Sequence, residues 1–166
     1  RDVKLDDITS CEDNAEILQR LRDQDTSLDA IRITDEYNDN SCFTAGEGDD
    51  LGWLGYFIGK SKYLEKLRIY SWGEGGNIEA FMEGINNHNQ SINSLRIGTD
   101  VSFRNLRPFF RNNNNLCQIE LSFEVGLECA QSIAFVLDES RCQSLKNLDM
   151  GVCSLGEEGF AVIATA

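Results

Sequence analysis

One apolar pattern recurs along the chain: an aliphatic residue, two variable positions, a second aliphatic residue, one variable position and a third apolar residue. Its copies are anchored by Leu28, Ile31 and Ile33; Leu64, Leu67 and Ile69; Ile92, Leu95 and Ile97; Leu116, Ile119 and Leu121; and Leu145, Leu148 and Met150. The middle anchors fall at 31, 67, 95, 119 and 148, which spaces the copies by 36, 28, 24 and 29 residues. Alternation in the second half of each copy predicts a short strand with one inward face. Recurrence at a repeat-sized interval predicts stacked units that share one continuous core.

Between these copies the apolar period lengthens from two to between three and four, which predicts helices. Ala15, Ile17, Leu18 and Leu21 mark the first, with Ser10 as its expected cap and Asp13 placed where an acid favours a helix N-terminus. Leu51 to Ile58 predicts a second, led by Asp50. Its glycines Gly52, Gly55 and Gly59 weaken an isolated helix but offer a smooth strip for close approach to a neighbour. Asn77 is the expected cap of a third helix carrying Ile78, Phe81, Met82 and Ile85, with His88 in the polar turn after it.

Phe103, Leu106, Phe109 and Phe110 form the next apolar stripe, read as packing against the sheet, and Pro108 places the start of a regular helix near 107 because proline is tolerated in a first turn. Asn112 to Asn115 reads as a turn. Leu127, Ala130, Ile133, Ala134 and Leu137 predict a further helix, and the segment from Leu155 a last one whose apolar face lacks a following strand. Residues 1–10, with Val3, Leu5 and Ile8, read as the end of a preceding unit.

The segment from Asp35 to Asp50 carries acids without a base and is expected to be a solvated insertion. Clustered carboxylates suit calcium, but the spacing does not fit an EF-hand loop, so a calcium site is not expected there. A formal charge of −13 disfavours nucleic acid and anionic membranes as partners of the whole chain. No apolar run approaches the roughly 20 residues of a membrane span. Six cysteines without a C-x-x-C pair, and one histidine, assemble no zinc site by spacing. Cys117, Cys129 and Cys153 fall at positions expected to face the core, which favours a reduced chain and an intracellular setting, cytoplasmic or nuclear. No cofactor is expected.

The last copy extends to Cys153, Leu155, Gly156, Glu158 and Gly159, and with the strand copies separated by helices it resembles the ribonuclease-inhibitor-like class of leucine-rich repeat proteins. The resemblance covers about residues 11–166. It implies an α/β solenoid, a horseshoe segment with parallel strands on the concave face and helices on the convex face. It further implies one domain over 1–166 of about five repeats, part of a longer array whose last helix, 155–166, belongs to an incomplete repeat. At the ladder position, cysteine or asparagine in that class, Cys153 conforms; Glu36, Trp72, Asp100 and Glu124 stand there in the earlier copies and predict irregular loops.

By the period-two rule the residues beside the inward anchors face the opposite side of the sheet. The expected columns are Ala30, Arg32 and Thr34; Lys66, Arg68 and Tyr70; Ser94, Arg96 and Gly98; Gln118, Glu120 and Ser122; and Asn147, Asp149 and Gly151. The middle positions give a row of Arg32, Arg68, Arg96, Glu120 and Asp149. With Lys66 and Tyr70 these are the candidate partner-binding residues, suited to a carboxylate- or phosphate-bearing protein. The bland alternative is a solvated face whose arginines are held by acids such as Asp35 or Glu65. The function expected is a monomeric, non-enzymatic protein-binding module. Alternatives are an enzyme regulator of the GTPase-activating type on the same horseshoe, or a sensor or adaptor segment of a larger receptor or ubiquitin-ligase adaptor.

Overall fold

The computed structural model describes residues 3–35, 41–45, 50–73, 77–89, 91–98, 108–110, 112–122, 127–138, 144–150 and 155–165. The fold is α/β. A short 3-10 turn, Leu5–Asp7, precedes helix α1, Glu12–Arg22, and strands β1, Ala30–Thr34, and β2, Cys42–Thr44. Then follow α2, Asp50–Lys60; β3, Lys66–Ile69; α3, Ile78–His88; β4, Ser94–Ile97; β5, Gln118–Leu121; α4, Leu127–Asp138; β6, Asn147–Asp149; and α5, Gly156–Ala164. Residues 108–110 and 112 are also helical.

All strands pair in parallel in one six-stranded sheet of order β2-β1-β3-β4-β5-β6. The repeated anchors determine the register. Ile31 stands opposite Leu67, Leu67 opposite Leu95, Leu95 opposite Ile119, and Ile119 opposite Leu148. A slip of one residue would turn every anchor to the polar face, so the shared pattern selects this pairing. The anchors from Ile31 through Leu121 are buried in one cluster with Ile17, Leu18 and Leu21 of α1, Leu51, Leu54 and Ile58 of α2, and Phe81, Met82 and Ile85 of α3. Phe109 and Phe110 join the same core, while Leu5 and Ile8 pack at its margin. Phe103 and Leu106 lie outside the described residues.

The glycine strip of α2 lies against α3. A Cβ built on Gly55 would fall 2.2 Å from the Phe81 carbonyl oxygen, and one on Gly59 2.3 Å from that of Gly84. Gly84 faces back in turn, its would-be Cβ 2.4 Å from the Tyr56 nitrogen. The two helix backbones are therefore in direct contact, and the helix propensity given up by these glycines is exchanged for that approach.

Three local expectations need correction. The acidic segment 35–50 is not wholly a solvated insertion, because Cys42, Phe43 and Thr44 form an edge strand beside β1 with Cys42 and Phe43 fully buried. Ser10 does not cap α1: Cys11 occupies that position without a side-chain bond, and Thr9 Oγ1 accepts the Cys11 N–H at 3.2 Å. His88 is the last residue of α3 rather than part of the turn after it. Asn77 does cap α3, its Oδ1 accepting the Ala80 N–H at 3.0 Å. At the ladder position Trp72 is buried edge-on against Phe81, with ring centroids 5.2 Å apart; Glu36, Asp100, Glu124 and Cys153 lie outside the described residues.

Cys11, Cys42 and Cys117 are free thiols, and Cys117 is half-buried rather than enclosed in the core. Gly159 of α5 is buried against Ala130 of α4, while Phe160 beside it is 66% exposed. Among the described residues no helix is long and apolar enough to cross a membrane.

Candidate functional site

Because the anchors fix the register, they also fix what stands between them. Arg32 is paired with Arg68, Arg68 with Arg96, Arg96 with Glu120, and Glu120 with Asp149. The expected row is therefore brought together across five strands, on the face opposite the core, at about 4.8 Å per step. One row toward the strand N-termini, Ala30, Lys66, Ser94, Gln118 and Asn147 are likewise aligned. Gly151 lies outside the described residues.

Three guanidiniums on neighbouring strands repel one another, and the structure contains two devices that offset this. Arg96 Nη1 lies 3.3 Å from Glu120 Oε1, an ion pair along the row itself. Tyr70, directly after β3, places its ring beneath guanidiniums from both flanking strands, 5.8 Å from Arg32 and 5.4 Å from Arg96. Each such contact is favourable by about 0.5–1 kcal/mol at partly exposed sites. The ring can lean toward β4 because Gly98 leaves room: a Cβ there would meet Tyr70 Cδ1 at 3.0 Å. Arg32 Nη1 also reaches the buried Cys42 Sγ at 3.9 Å, so β2 closes that end of the row.

Arg68 occupies the centre of the triad, half-buried, and its charge, like that of Lys66, acts on the Asp29 carboxylate. Lys66 differs from the other candidates. Its Nζ is held by Asp29 Oδ2 at 2.9 Å, and that bond with the ammonium charge lowers the Asp29 pKa. Lys66 thus stands at the site already matched by a carboxylate. Asp149 is exposed at the far end of the row. The acids named in the solvated alternative, Asp35 and Glu65, are both exposed; Arg96 is paired with Glu120.

A second ladder, on the strand N-terminal side, was overlooked. Asp25, Ser61, Asn89 and Asn113 each stand three residues before the first anchor of a copy. Ser61 Oγ accepts the Leu64 N–H at 3.2 Å, Asn89 Oδ1 that of Ile92 at 3.1 Å, and Asn113 Oδ1 that of Asn115 at 3.1 Å. The two asparagine amides donate backward, Asn89 Nδ2 to the Ile58 carbonyl at 3.0 Å and Asn113 Nδ2 to the Ile92 carbonyl at 3.1 Å. Ser61, Asn89 and Asn113 are all buried, and their bonds to Leu64, Ile58 and Ile92 satisfy buried backbone groups. A polar residue at that fixed offset was legible as a column, although each alone reads as a turn former.

Among the described residues, no three His, Cys, Asp or Glu side chains are grouped to hold a metal ion. No known family matches the chain, and none of the curated proteins does.

Proposed function

We propose that the chain is a leucine-rich repeat segment of the ribonuclease-inhibitor-like class, a non-enzymatic module that binds another protein on the concave face of its sheet. Two features support the repeat assignment: parallel strands in register at every hexad, and a buried polar residue at the same offset before each of three of them. Both express one unit used several times.

The observation that carries the binding reading is the row of Arg32, Arg68 and Arg96 on three adjacent strands of a chain of net charge −13. Like charges directly opposite one another destabilise a sheet, and an anionic group on a partner would add to the offset that Glu120 and Tyr70 already supply. Glu120 and Asp149 continue the row with opposite sign and give the surface a polarity along which a partner is oriented. An open, single-sided surface of this kind suits a protein ligand better than chemistry that needs a water-excluding pocket.

The test is capture from an extract of the source cells by the chain and by a triple Arg32→Ala, Arg68→Ala, Arg96→Ala variant, at low and moderate salt. The expected result is a partner retained by the first and lost by the second while circular dichroism shows both folded. Retention of the same partner by both would place the contact surface elsewhere.

A further inference from the structure

We infer that Arg68, framed by Arg32, Tyr70 and Arg96, is the anchor for a phosphomonoester on the partner: the segment recognised is a phosphorylated peptide. This rests on the protein-binding reading above and names the chemistry of the same surface.

The geometry favours a phosphoryl group over a carboxylate. Arginines stand at paired positions on three neighbouring strands, the outer two with their guanidiniums against the Tyr70 ring. A carboxylate offers two oxygens and one charge, which a single planar fork satisfies. A phosphomonoester offers three acceptor oxygens and a charge of about −1.5 to −2 at neutral pH, enough to bridge adjacent guanidiniums. Tyr70 keeps the outer two in place before any ligand arrives, since both lie within 6 Å of its ring. Positions held in advance lose less freedom on binding. All three charged groups are arginines, which present the planar fork a phosphate accepts; lysine does not.

Lys66 is already neutralised by Asp29, so it adds little to the anchor. The acidic end of the row excludes a uniformly anionic ligand. A segment laid along the row meets Arg68 and, three strands on, Asp149, about 14 Å away at 4.8 Å per strand. An extended peptide covers that distance in about four residues. The phosphorylated residue is therefore followed or preceded, four positions away, by a lysine or arginine. A phosphoinositide membrane presents similar phosphate chemistry, but a chain of charge −13 is repelled by an anionic surface.

The test uses immobilised nine-residue peptides, otherwise degenerate, with phosphoserine, phosphotyrosine, glutamate or serine at the centre, and vesicles containing phosphoinositide as a separate arm. Phosphopeptides are expected to bind and the serine and glutamate forms to bind at least tenfold more weakly. Arg68→Ala should remove the preference, while Lys62→Ala, an exposed charge off the row, should leave it. Tyr70→Phe retains the ring and should preserve binding, whereas Tyr70→Ala should weaken it. Binding should fall between about pH 7 and pH 5, as the phosphate takes up its second proton near pH 6.

Equal binding of glutamate and phosphorylated peptides, indifference to Arg68→Ala in a folded variant, saturation by inorganic phosphate at the same affinity, or binding to the vesicles in place of the peptides would each overturn the inference. If the phosphate preference is absent while the triple arginine variant still loses its captured partner, the phosphate inference alone fails and the protein-binding reading stands.

Discussion

Asn14 on α1 clamps Thr44 on β2 through both edges of its amide. Nδ2 donates to the Thr44 carbonyl at 2.8 Å and Oδ1 accepts the Thr44 N–H at 2.9 Å. The side chain thus does for one residue what another strand would do, and it is 1% exposed. With Arg32 reaching Cys42 on the same strand, the edge of the sheet is joined to the arginine row.

Removing that clamp leaves a half-buried backbone donor and acceptor without their side-chain partner. Asn14→Ala is expected to lower stability by about 1–3 kcal/mol per group left unsatisfied, with the Thr44 amide losing hydrogen-exchange protection first. Urea denaturation and amide exchange measure the two effects; unchanged Thr44 protection would contradict the clamp.

The α2–α3 contact predicts opposite tolerance at two glycines of one helix. Gly55→Ala would set a methyl against the Phe81 carbonyl, whose backbone cannot yield, and should destabilise by about 1–3 kcal/mol or more. Gly52→Ala meets only the Ala80 methyl, at 3.1 Å, so α3 must yield by a few tenths of an ångström, against up to about 1 kcal/mol of helix propensity gained. Thermal denaturation of the two variants should therefore differ clearly, with Gly55→Ala melting lower.

Asn89 and Asn113 act on the same residue from two units, one accepting the Ile92 N–H and the other donating to its carbonyl. Each alanine substitution should cost about 1–3 kcal/mol. The double variant should deviate from additivity by at least 0.5 kcal/mol, as coupled neighbours do; strict additivity in a denaturant cycle would show that the ladder does not join the units.

Asp25 follows α1 in a turn where Arg20 Nε donates to it at 2.8 Å and the Ser27 hydroxyl and N–H donate at 2.7 and 2.8 Å. The Arg20 bond first, then those from Ser27, hold its pKa at about 2 against an ordinary 3.8. Because the folded value is the lower one, the associated stabilisation is present above the unfolded pKa near 4 and is lost as pH falls through about 2. The carboxyl carbon shift followed by NMR should show a midpoint near 2 in the native chain and a higher one in Arg20→Ala. An unchanged midpoint in the variant would remove Arg20 as the cause.

The positions of β1 and β3–β6, their register and the middle row of the polar face were readable from the chain, because they depend on one local rule used several times; β2 was not, and Thr34, expected on the polar face, is buried. Side chains alternate along a strand, and units with identical anchors pair anchor to anchor, so Arg32, Arg68, Arg96, Glu120 and Asp149 had to align. The buried faces of α1, α2 and α3 followed in the same way from spacing, as did the Asn77 cap, whereas Leu127, expected on the apolar face of α4, is exposed. The remaining features depend on residues far apart in the chain. Asn14 and Thr44 are 30 positions apart, and nothing in the polar surroundings of Cys42 to Thr44 marks a strand until β1 offers its free edge. Gly55 is merely a weak helix residue until Phe81 arrives against it. Tyr70 is a loop aromatic until Gly98 on the next strand leaves space for its ring between two guanidiniums. Periodicity is local and survives in one dimension; complementarity between separate segments exists only once packing has brought them together.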